Sequence, residues 1–376
     1  MIELRGIAWD HTRAIAPLLV TAQVFADFDR TVQIAWDRRS LWAFGEARVD
    51  ELVDTYDLLV IDHPMIGFAA AHELFVPLDE HLPAEWLAEQ ARGSVGGSHR
   101  SYAFDGHQWA AAIDAACQVA VSRPDLLREP PSTFAEVLAL ARSGRVAVPL
   151  KPIDALSCFL TLCANQGEEP LRDGRVAVER IGVHVLEQLR ELASVVSPDC
   201  LEQNPIDVLN AMSTGDEIAY CPYAFGYTNY AREGYAPRRL AFHNIPVAGE
   251  HGCTGATLGG AGIAVSSRSA HVQEAVEYVR RVADPECQRT IYVHAGGQPG
   301  HAAAWEDELA NRATGDFFRS TRRTIDAAYV RPTHEGVAKF QTSAAEVVHG
   351  FLTGSGRPGE VLAELNALFA ASLPSD

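Results

Sequence analysis

The sequence predicts an α/β protein, in which strands alternate with helices around a parallel sheet, and its length predicts about two to three domains. The chain has 376 residues, which is enough for a large buried core. Hydrophobic residues make up 47% and charged residues 21% of it, a composition that excludes disordered, collagen-like and coiled-coil proteins. Along the first 80 residues, segments with strand and helix periodicity alternate, which is typical of βαβ units.

Three strands and two helices are predicted in that first part of the chain. Residues 2–9 and 32–36 have the pattern of strands, and residues 12–28 carry an apolar stripe at helical spacing. Residues 49–56 show similar spacing and predict a second helix. Residues 58–61 form a short apolar run between two aspartates, which favours a buried strand of a parallel sheet.

The rest of the chain is less regular, but strands and helices can still be assigned. Thr133 and Glu136 have the spacing of a capping box and predict the start of a helix. Further apolar patterns predict strands at residues 145–150, 218–220, 241–247 and 262–266, and helices at residues 154–165, 181–195, 271–283 and 359–370. No internal repeat or low-complexity linker separates these elements.

Several segments, taken in order, resemble one protein family. Residues 102–114 (YAFDGHQWAAAID) combine a tyrosine, an Asp-Gly turn and an apolar strand, and residues 123–127 (RPDLL) follow as a helix start. Residues 131–136 (PSTFAE), 258–266 (LGGAGIAVS) and 296–299 (GGQP) continue the pattern. In this order and spacing, over nearly the whole chain, they resemble the family 1 extracellular solute-binding proteins of ABC importers, the group that includes maltose-binding protein.

This resemblance implies a periplasmic-binding-protein type II fold, with two α/β lobes that close by a hinge around a ligand in the cleft. Each lobe is expected to hold a mostly parallel sheet flanked by helices. The implied boundaries are residues 1–113 plus 258–300 for lobe one and residues 114–257 plus 301–376 for lobe two. The implied function is capture of a small polar ligand, a sugar or a small carboxylate, with an ABC transporter permease as the possible partner.

Polar residues that follow two predicted strands form the main candidate ligand site. Trp9, Asp10 and His11 follow the first strand, and Asp62 and His63 follow the third. Because open α/β sheets bind ligands beyond the carboxyl ends of their strands, both groups are predicted at one edge of the sheet. The alternative is helix capping, since an Asp at a helix start accepts hydrogen bonds from free backbone N–H groups.

Two further pairs of residues are candidates for binding an anionic group. Arg39 and Ser40 follow the second strand and suit a carboxylate or phosphate, and the alternative is a solvated loop. Lys151 and Asp154 open a helix whose N-terminus suits an anion, and the alternative is an ordinary capped helix. The sequence does not choose between these alternatives.

Aromatic and glycine-rich segments complete the predicted ligand site. Tyr223 and Tyr227 are four residues apart, so we expect them to share a helix face, either at the cleft or in the core. Gly260 and Gln298 lie in two of the family-like segments, and the resemblance implies that both line the cleft. The glycines around Gly260 match neither common nucleotide-binding motif, so no cofactor is predicted.

Asp114 and Cys117 lie where the resemblance implies a crossing between the lobes, and both are candidates for ligand contacts. Cys117 also suggests a different function, because a cleft cysteine with a stabilised thiolate is the nucleophile of thiaminase-like enzymes that share this fold. Glu217 is its candidate partner, and the alternative is that Cys117 is a small buried residue. Binding without chemistry is therefore the expected function, with a cleft enzyme or a cytosolic metabolite sensor as alternatives.

Composition argues against several other functions. Lys and Arg total 31 against 49 Asp and Glu, and the resulting net charge of −18 disfavours nucleic-acid binding. No apolar run is long enough for a membrane span, and the 14 histidines lack metal-ligand spacing, so no metal is expected. The seven cysteines include no CxxC pair, and the start MIELRGIAWD lacks a signal-peptide pattern. A cytoplasmic protein is expected, or a periplasmic or extracellular one if a signal peptide was removed.

Overall fold

In the computed structural model, which describes residues 1–46 and 49–374, strands and helices alternate up to β3 and then follow a less regular order. The strands are β1 (Ile2–Trp9), β2 (Val32–Arg39), β3 (Leu58–Ile61), β4 (Ala103–Phe104), β5 (His107–Gln108), β6 (Ala111–Ser122), β7 (Tyr220–Phe225), β8 (Ala241–His243) and β9 (Leu258–Val265). The helices are α1 (Thr12–Phe28), α2 (Leu41–Glu46), α3 (Ile66–Ala71), α4 (Ala84–Arg92), α5 (Phe134–Ala141), α6 (Pro152–Asn165), α7 (Glu179–Val195), α8 (Pro205–Thr214), α9 (Val272–Val282), α10 (Pro285–Cys287), α11 (Ala302–Glu306), α12 (Glu308–Ala313), α13 (Phe317–Asp326), α14 (Val337–Thr353) and α15 (Pro358–Ser372). Within this described part, no helix is both long and apolar enough to cross a membrane.

One mixed sheet runs through the molecule in the strand order β2-β1-β3-β9-β6-β7, and β8 also pairs with β6. β1 is parallel to β2 and β3, as the βαβ pattern predicts. β9 is antiparallel to both β3 and β6, and β7 and β8 are antiparallel to β6. The sheet is therefore parallel only around β1, because β6 leads the chain away from that region and β9 brings it back in the opposite direction. The expectation of a mostly parallel sheet in each lobe is wrong for the β6-β7-β8 part, whose strand pairs are antiparallel.

β6 is the strand that joins the two halves of the molecule. All 12 of its residues are buried. Residues 111–117 pair with β9, whereas residues 118–122 pair with β7 and β8. A single strand thus belongs to both halves, and its backbone fixes how the sheet continues from one half to the other.

Separate hydrophobic cores lie on the two halves, and we name the halves lobe one and lobe two by these cores. In lobe one, α1 and α9 pack on one face of the sheet through residues such as Leu18 and Val279, and Tyr102 belongs to the core on the other face. In lobe two, α6, α7 and α14 surround a larger core that includes Phe159 and Leu186. The residue boundaries inferred from the family resemblance stay a prediction.

Several predicted elements are shorter, displaced or less regular than expected. The strand predicted at residues 241–247 is limited to Ala241–His243, and the one predicted at residues 218–220 begins at Tyr220 and continues to Phe225. Residues 49–56 form only the 3₁₀ turn Val49–Glu51 followed by further turns, because Asp54 and Thr55 are weak helix formers. Residues 145–150 form no regular strand, since Pro149 has no N–H to donate to a sheet.

The predicted helical pairing of two tyrosines is wrong. Tyr223 lies inside β7, where the polypeptide is extended, and Tyr227 lies beyond the end of that strand. Alternate residues of a strand also share a face, but β7 ends at Phe225, so this alternation does not extend to Tyr227. Both tyrosines belong to the buried core of lobe two, on differently shaped stretches of backbone.

Gly260 allows β9 to approach β6 closely, and its replacement tests this contact. Its φ is +115°, and an added Cβ would lie 2.4 Å from the Asp114 carbonyl oxygen. Gly260→Ala is expected to lower the free energy of unfolding, measured by urea titration, by about 2–4 kcal/mol through backbone strain and steric overlap. The control is Gly350→Ala on α14, where a Cβ meets open space and helix propensity should raise stability by about 0.5 kcal/mol. Similar effects of the two substitutions would contradict this role.

Candidate ligand-binding cleft

A cavity of about 670 Å³ opens between the two lobes. This volume lies in the range typical of small-molecule sites. Lobe one lines it with Trp9, Arg13, Leu41, Phe44, Gly45, Val49, Asp62, Pro64, Met65 and Phe68. Lobe two lines it with Lys151, Ile153, Asp154, Ser157, Asn204, Pro205, Phe225, Tyr227, Arg331, Glu335, Ala338, Lys339, Gln341 and Thr342, and the strands between the lobes add Ala116, Gly259 and Gly260.

The lobe-one side of the cleft is built at the carboxyl ends of neighbouring parallel strands. Trp9 is the last residue of β1, and Asp62 directly follows β3, so the two residues reach the same edge of the sheet. The Trp9 ring packs at 4.8 Å, between ring centroids, against Phe44 of α2. This is the edge at which the sequence predicts a ligand site.

Arg13 and Asp114 form a buried ion pair at the cleft. The Arg13 Nε donates to Asp114 Oδ2 at 2.8 Å, and the Arg13 Nη2 donates to Asp114 Oδ1. The Arg13 Nη1 donates to the Gly226 carbonyl oxygen at 2.8 Å. Burial alone would lower the pKa of Arg13, but Asp114 raises the pKa above its ordinary value, so the guanidinium stays charged. Its charge is thereby balanced before any ligand arrives.

A second ion pair, Asp62–Arg331, connects the lobes across the cleft. The Arg331 Nη2 lies 3.0 Å from Asp62 Oδ2, and the Arg331 Nη1 donates to Gln341 Oε1 at 2.8 Å. Burial would raise the pKa of Asp62, but Arg331 outweighs it and holds the pKa below its usual range. This carboxylate and this guanidinium also neutralise each other.

Asp154 is a buried lining residue whose carboxyl group has no partner in the described part of the chain. Its side chain is 4% exposed, and it forms no hydrogen bond with the described residues. Burial raises its pKa to about 8, with Lys151 opposing and Asp207 adding to the shift. At neutral pH the carboxyl group is therefore mostly protonated, so it can both donate and accept a hydrogen bond.

The structure brings some of the predicted site residues to the cleft, namely Trp9, Asp62, Lys151, Asp154, Tyr227 and Gly260. The Lys151 Nζ lies 3.5 Å from Asp207 Oδ2, so its charge is partly balanced. The Arg13 guanidinium lies over the Tyr227 ring, with the Arg13 Cζ 4.7 Å from the ring centroid. Whether these residues contact a ligand stays a prediction.

Residues after β1 and β2 that were candidates for binding act as caps or surface groups. His11 caps α1, because its Nδ1 accepts from the Arg13 N–H at 3.0 Å. The Ser40 hydroxyl accepts from the Ala43 N–H at the start of α2. Asp10 is exposed and pairs with Arg38 at 3.4 Å. For these positions the capping or surface alternative describes the structure, and none of them lines the cavity.

Several candidate site residues are buried outside the cavity lining, and two of them form hydrogen bonds with backbone atoms. The Arg39 Nη2 donates to the Val60 carbonyl oxygen at 2.9 Å. Gln298 donates from Nε2 to the Ala115 carbonyl oxygen at 2.7 Å and accepts from the Thr228 N–H at 3.0 Å. His63 is fully buried with its ring edge-on to Tyr102, and burial lowers its pKa. Asp114 and Tyr223 likewise lie outside the lining.

The structure contradicts a nucleophilic Cys117. Its side chain is 2% exposed, belongs to the lobe-two core and is absent from the cavity lining. Burial raises the pKa of its thiol far above the ordinary value, so the thiolate required for attack is suppressed. Glu217 is exposed on the turn before β7 and does not line the cavity. The two residues of the proposed enzyme alternative therefore share no site.

Sequence reasoning missed several lining residues. Arg331 lies far along the chain from Asp62, and no motif surrounds it. Met65 and Phe68 lie a few residues after Asp62. Their apolar pattern does not distinguish a cavity lining from a segment of the hydrophobic core. Among the described residues, no three His, Cys, Asp or Glu side chains lie close enough together to hold a metal ion.

Asp154 should make stability depend on pH. Its pKa is about 8 in the folded protein but close to the ordinary value of 3.8 in the unfolded chain, so the folded state binds the proton more tightly between those values. The free energy of unfolding should therefore fall as pH rises through this window, by up to about 1.4 kcal/mol per pH unit. Asp154→Asn should flatten this slope in urea titrations at pH 5 to about 8. Glu217→Gln, an exposed control, should leave the slope unchanged, and an unchanged slope in Asp154→Asn would contradict the assignment.

Cys117 should react with thiol reagents only when the protein unfolds. In native buffer near neutral pH, N-ethylmaleimide labelling followed by peptide mass analysis should find Cys117 unmodified under conditions that slowly label the half-buried Cys287. Urea at the unfolding midpoint should make Cys117 reactive. Fast native labelling of Cys117 would restore the nucleophile hypothesis, and Cys117→Ala identifies the labelled peptide.

Comparisons with known proteins agree on the fold. No protein-family model and no curated protein matches the sequence. Among solved structures, maltose-bound MalE3 of T. maritima has a TM-score of 0.85 at 15% identity and covers 99% of this chain and 100% of that chain. The GacH receptor of Streptomyces glaucescens has a TM-score of 0.81 at 15% identity, covering 99% and 98%.

A third solved structure, an ABC transporter solute-binding protein from Agrobacterium radiobacter in complex with ribitol, has a TM-score of 0.80 at 16% identity and covers 97% of each chain. At this level of identity the likeness concerns the fold. The predicted α/β fold with two lobes and a cleft is confirmed: this chain has the architecture of the maltose-binding-protein-like ABC solute-binding proteins.

Proposed function

We propose that this protein captures a neutral sugar or polyol in the cleft between its lobes and delivers it to an ABC importer without altering it. The observation that carries the proposal is the charge balance of the cleft. Arg13 is paired with Asp114, and Arg331 is paired with Asp62. Because an anion that bound either guanidinium would have to displace its buried carboxylate, a ligand without net charge fits these two ion pairs better.

The remaining polar groups favour hydroxyl groups over carboxylates as ligand atoms. Asp154 is buried, unpartnered and mostly protonated at neutral pH, so it suits a hydroxyl, which both donates and accepts. A ligand carboxylate facing Asp154 would gain no cation there, because Lys151 already lies near Asp207. The small-carboxylate alternative is therefore disfavoured by the same residues that favour a sugar.

Aromatic rings at the cleft are consistent with this ligand class. Trp9, Phe225 and Tyr227 line the cavity from both lobes, and the C–H faces of sugars pack well on aromatic rings. The structural neighbours were solved with maltose, acarbose and ribitol, which are ligands of those proteins and support the same class here.

The lobes also touch each other directly, as a protein that closes around a ligand requires. Thr12 Oγ1 of lobe one and Tyr235 Oη of lobe two are 3.1 Å apart, and the rings of His11 and Tyr227 meet edge-on at 4.8 Å between centroids. Hinge closure around a ligand would form such contacts. An ABC permease is the partner that this function implies, and a location outside the cytoplasm goes with it.

A thermal-shift screen followed by calorimetry tests the proposal. We expect one or more of maltose, maltotriose, glucose and ribitol to stabilise the protein, by about 2.7 kcal/mol at 100 times the dissociation constant, while succinate and citrate do not. Mass analysis should recover the ligand unchanged. Stabilisation by carboxylates alone, or conversion of a sugar to product, would refute the proposal.

Asp154→Leu separates ligand binding from folding. We expect affinity for the stabilising sugar to fall about tenfold to a hundredfold, because the ligand loses a buried hydrogen-bond partner. The melting temperature without ligand should not fall, since an apolar side chain replaces a buried carboxyl group that has no hydrogen-bond partner among the described residues, and the adjoining cavity has room for the larger Leu.

Thr161→Val on the same helix provides the matched control. Thr161 is buried outside the cavity lining and accepts from the Thr257 N–H. This substitution should lower stability and leave affinity unchanged, the opposite of the Asp154→Leu result. Equal sugar affinities of Asp154→Leu and the unmodified protein would remove Asp154 from the site.

A further inference from the structure

The two walls of the cleft differ in chemistry. Apart from Gly45 and two charged residues, lobe one lines the cavity with apolar side chains, among them Phe44, Pro64, Met65 and Phe68. Pro64 and Met65 lie in the short turn after β3, and Phe68 lies in α3, so these residues share one rigid stretch of chain. This stretch together with Phe44 is called the apolar wall below.

The charged groups of lobe one do not make this wall a hydrogen-bonding surface. Arg13 has its Nε, Nη1 and Nη2 atoms engaged by Asp114 and the Gly226 carbonyl oxygen. Asp62 receives hydrogen bonds from Arg331 and from the His63 N–H. Partners therefore occupy the polar atoms of Arg13 and Asp62, whereas the Trp9 Nε1 has no hydrogen-bond partner among the described residues and remains available to a ligand.

The lobe-two wall is more polar than that of lobe one. Its polar residues include Asp154, Ser157, Asn204, Gln341 and Lys339, on the start of α6, before α8 and on α14. It also carries the apolar side chains of Ile153, Pro205, Phe225, Tyr227 and Ala338. Asp154 is buried without a partner, and Lys339 forms no ion pair with the described residues. Hydrogen bonds to a ligand are consequently available from lobe two and scarce from lobe one.

A plain sugar matches such a cleft only in part. It can pack a C–H face on an aromatic ring, but hydroxyl groups at its edge that face the apolar wall would lose water without gaining a partner. Each such hydroxyl weakens binding by about tenfold or more. A ligand that offers an apolar group to lobe one and hydroxyl groups to lobe two avoids this loss and gains from burying the apolar group.

We infer that the ligand is an amphiphilic glycoside or polyol, with an aryl or alkyl group against the apolar wall and hydroxyl groups against lobe two. This inference rests on the proposed function and narrows its substrate class. The cavity of about 670 Å³ accommodates both parts together. The ion pairs Arg13–Asp114 and Asp62–Arg331 separate the two regions with no net charge.

Calorimetry with matched glycosides tests the inference. The probes are the methyl and phenyl glycosides of glucose, galactose, mannose and xylose, each as α and β anomers. For at least one sugar we expect the phenyl glycoside to bind at least tenfold more tightly than the methyl glycoside. We also expect a more negative heat-capacity change for that phenyl glycoside, since more apolar surface is buried. That second measurement needs no variant.

Phe68→Ser locates the effect on the apolar wall. It should reduce the phenyl preference from at least tenfold to less than threefold while the affinity for the methyl glycoside changes little. Phe104→Ser is the matched control, because Phe104 is also a half-buried phenylalanine packed on the lobe-one core but lies outside the cavity lining. This control should keep the full preference.

The outcomes separate the inference from the proposed function. Equal or weaker binding of the phenyl glycosides, for every sugar that binds, overturns the inference and leaves sugar capture standing. A phenyl preference that survives Phe68→Ser places the aryl group elsewhere and also overturns it. Failure of all the glycosides, sugars and polyols to bind overturns the proposed function, and the inference falls with it.

Discussion

The buried ion pair between Arg13 and Asp114 is the interaction on which the arrangement of the two lobes depends. Arg13 lies in the first turn of α1 in lobe one, Asp114 lies on β6 between the lobes, and the Gly226 carbonyl oxygen that Arg13 also reaches lies at the end of β7 in lobe two. A buried guanidinium without its carboxylate would cost several kcal/mol. Moving α1, β6 and the end of β7 apart would therefore expose or neutralise a buried charge. The ion pair thus fixes the position of these three segments, which form the base of the cleft.

The close contact of β6 and β9 supplies the second constraint. The pairing of these strands shifts register next to Asp114, and Gly260 faces that irregularity with a positive φ. Asp114, which lies at this shift, contacts Arg13, while Ala116 and Gly260 lie on the cavity surface. Ion pairing, strand register and the absence of a Cβ at one position thus act together to leave an open, electrically balanced floor.

That balance explains why the cleft is suited to binding and poorly suited to catalysis by Cys117. A thiolate or a free base needs nearby compensating charge or solvent, whereas the two cleft arginines are already paired and Cys117 is packed in the lobe-two core. Asp154 differs from these paired residues and remains available to bind a ligand. It lies in the first turn of α6, and no cation among the described residues is close enough to form an ion pair with it. The chemistry left in the cleft is therefore hydrogen bonding and apolar contact.

The sequence by itself determined the α/β class, the first three strands, most of the long helices and the positions of Trp9 and Asp62 at a strand edge, because these follow from periodicity and from residues close in the chain. It could not distinguish a cap from a ligand contact at His11 or Ser40, since the same polar side chains serve both. Only the tertiary structure decided which residues meet across the cleft. Arg331 pairs with Asp62, and the apolar wall and Asp154 line the same cavity, through contacts between distant parts of the chain that no local pattern records.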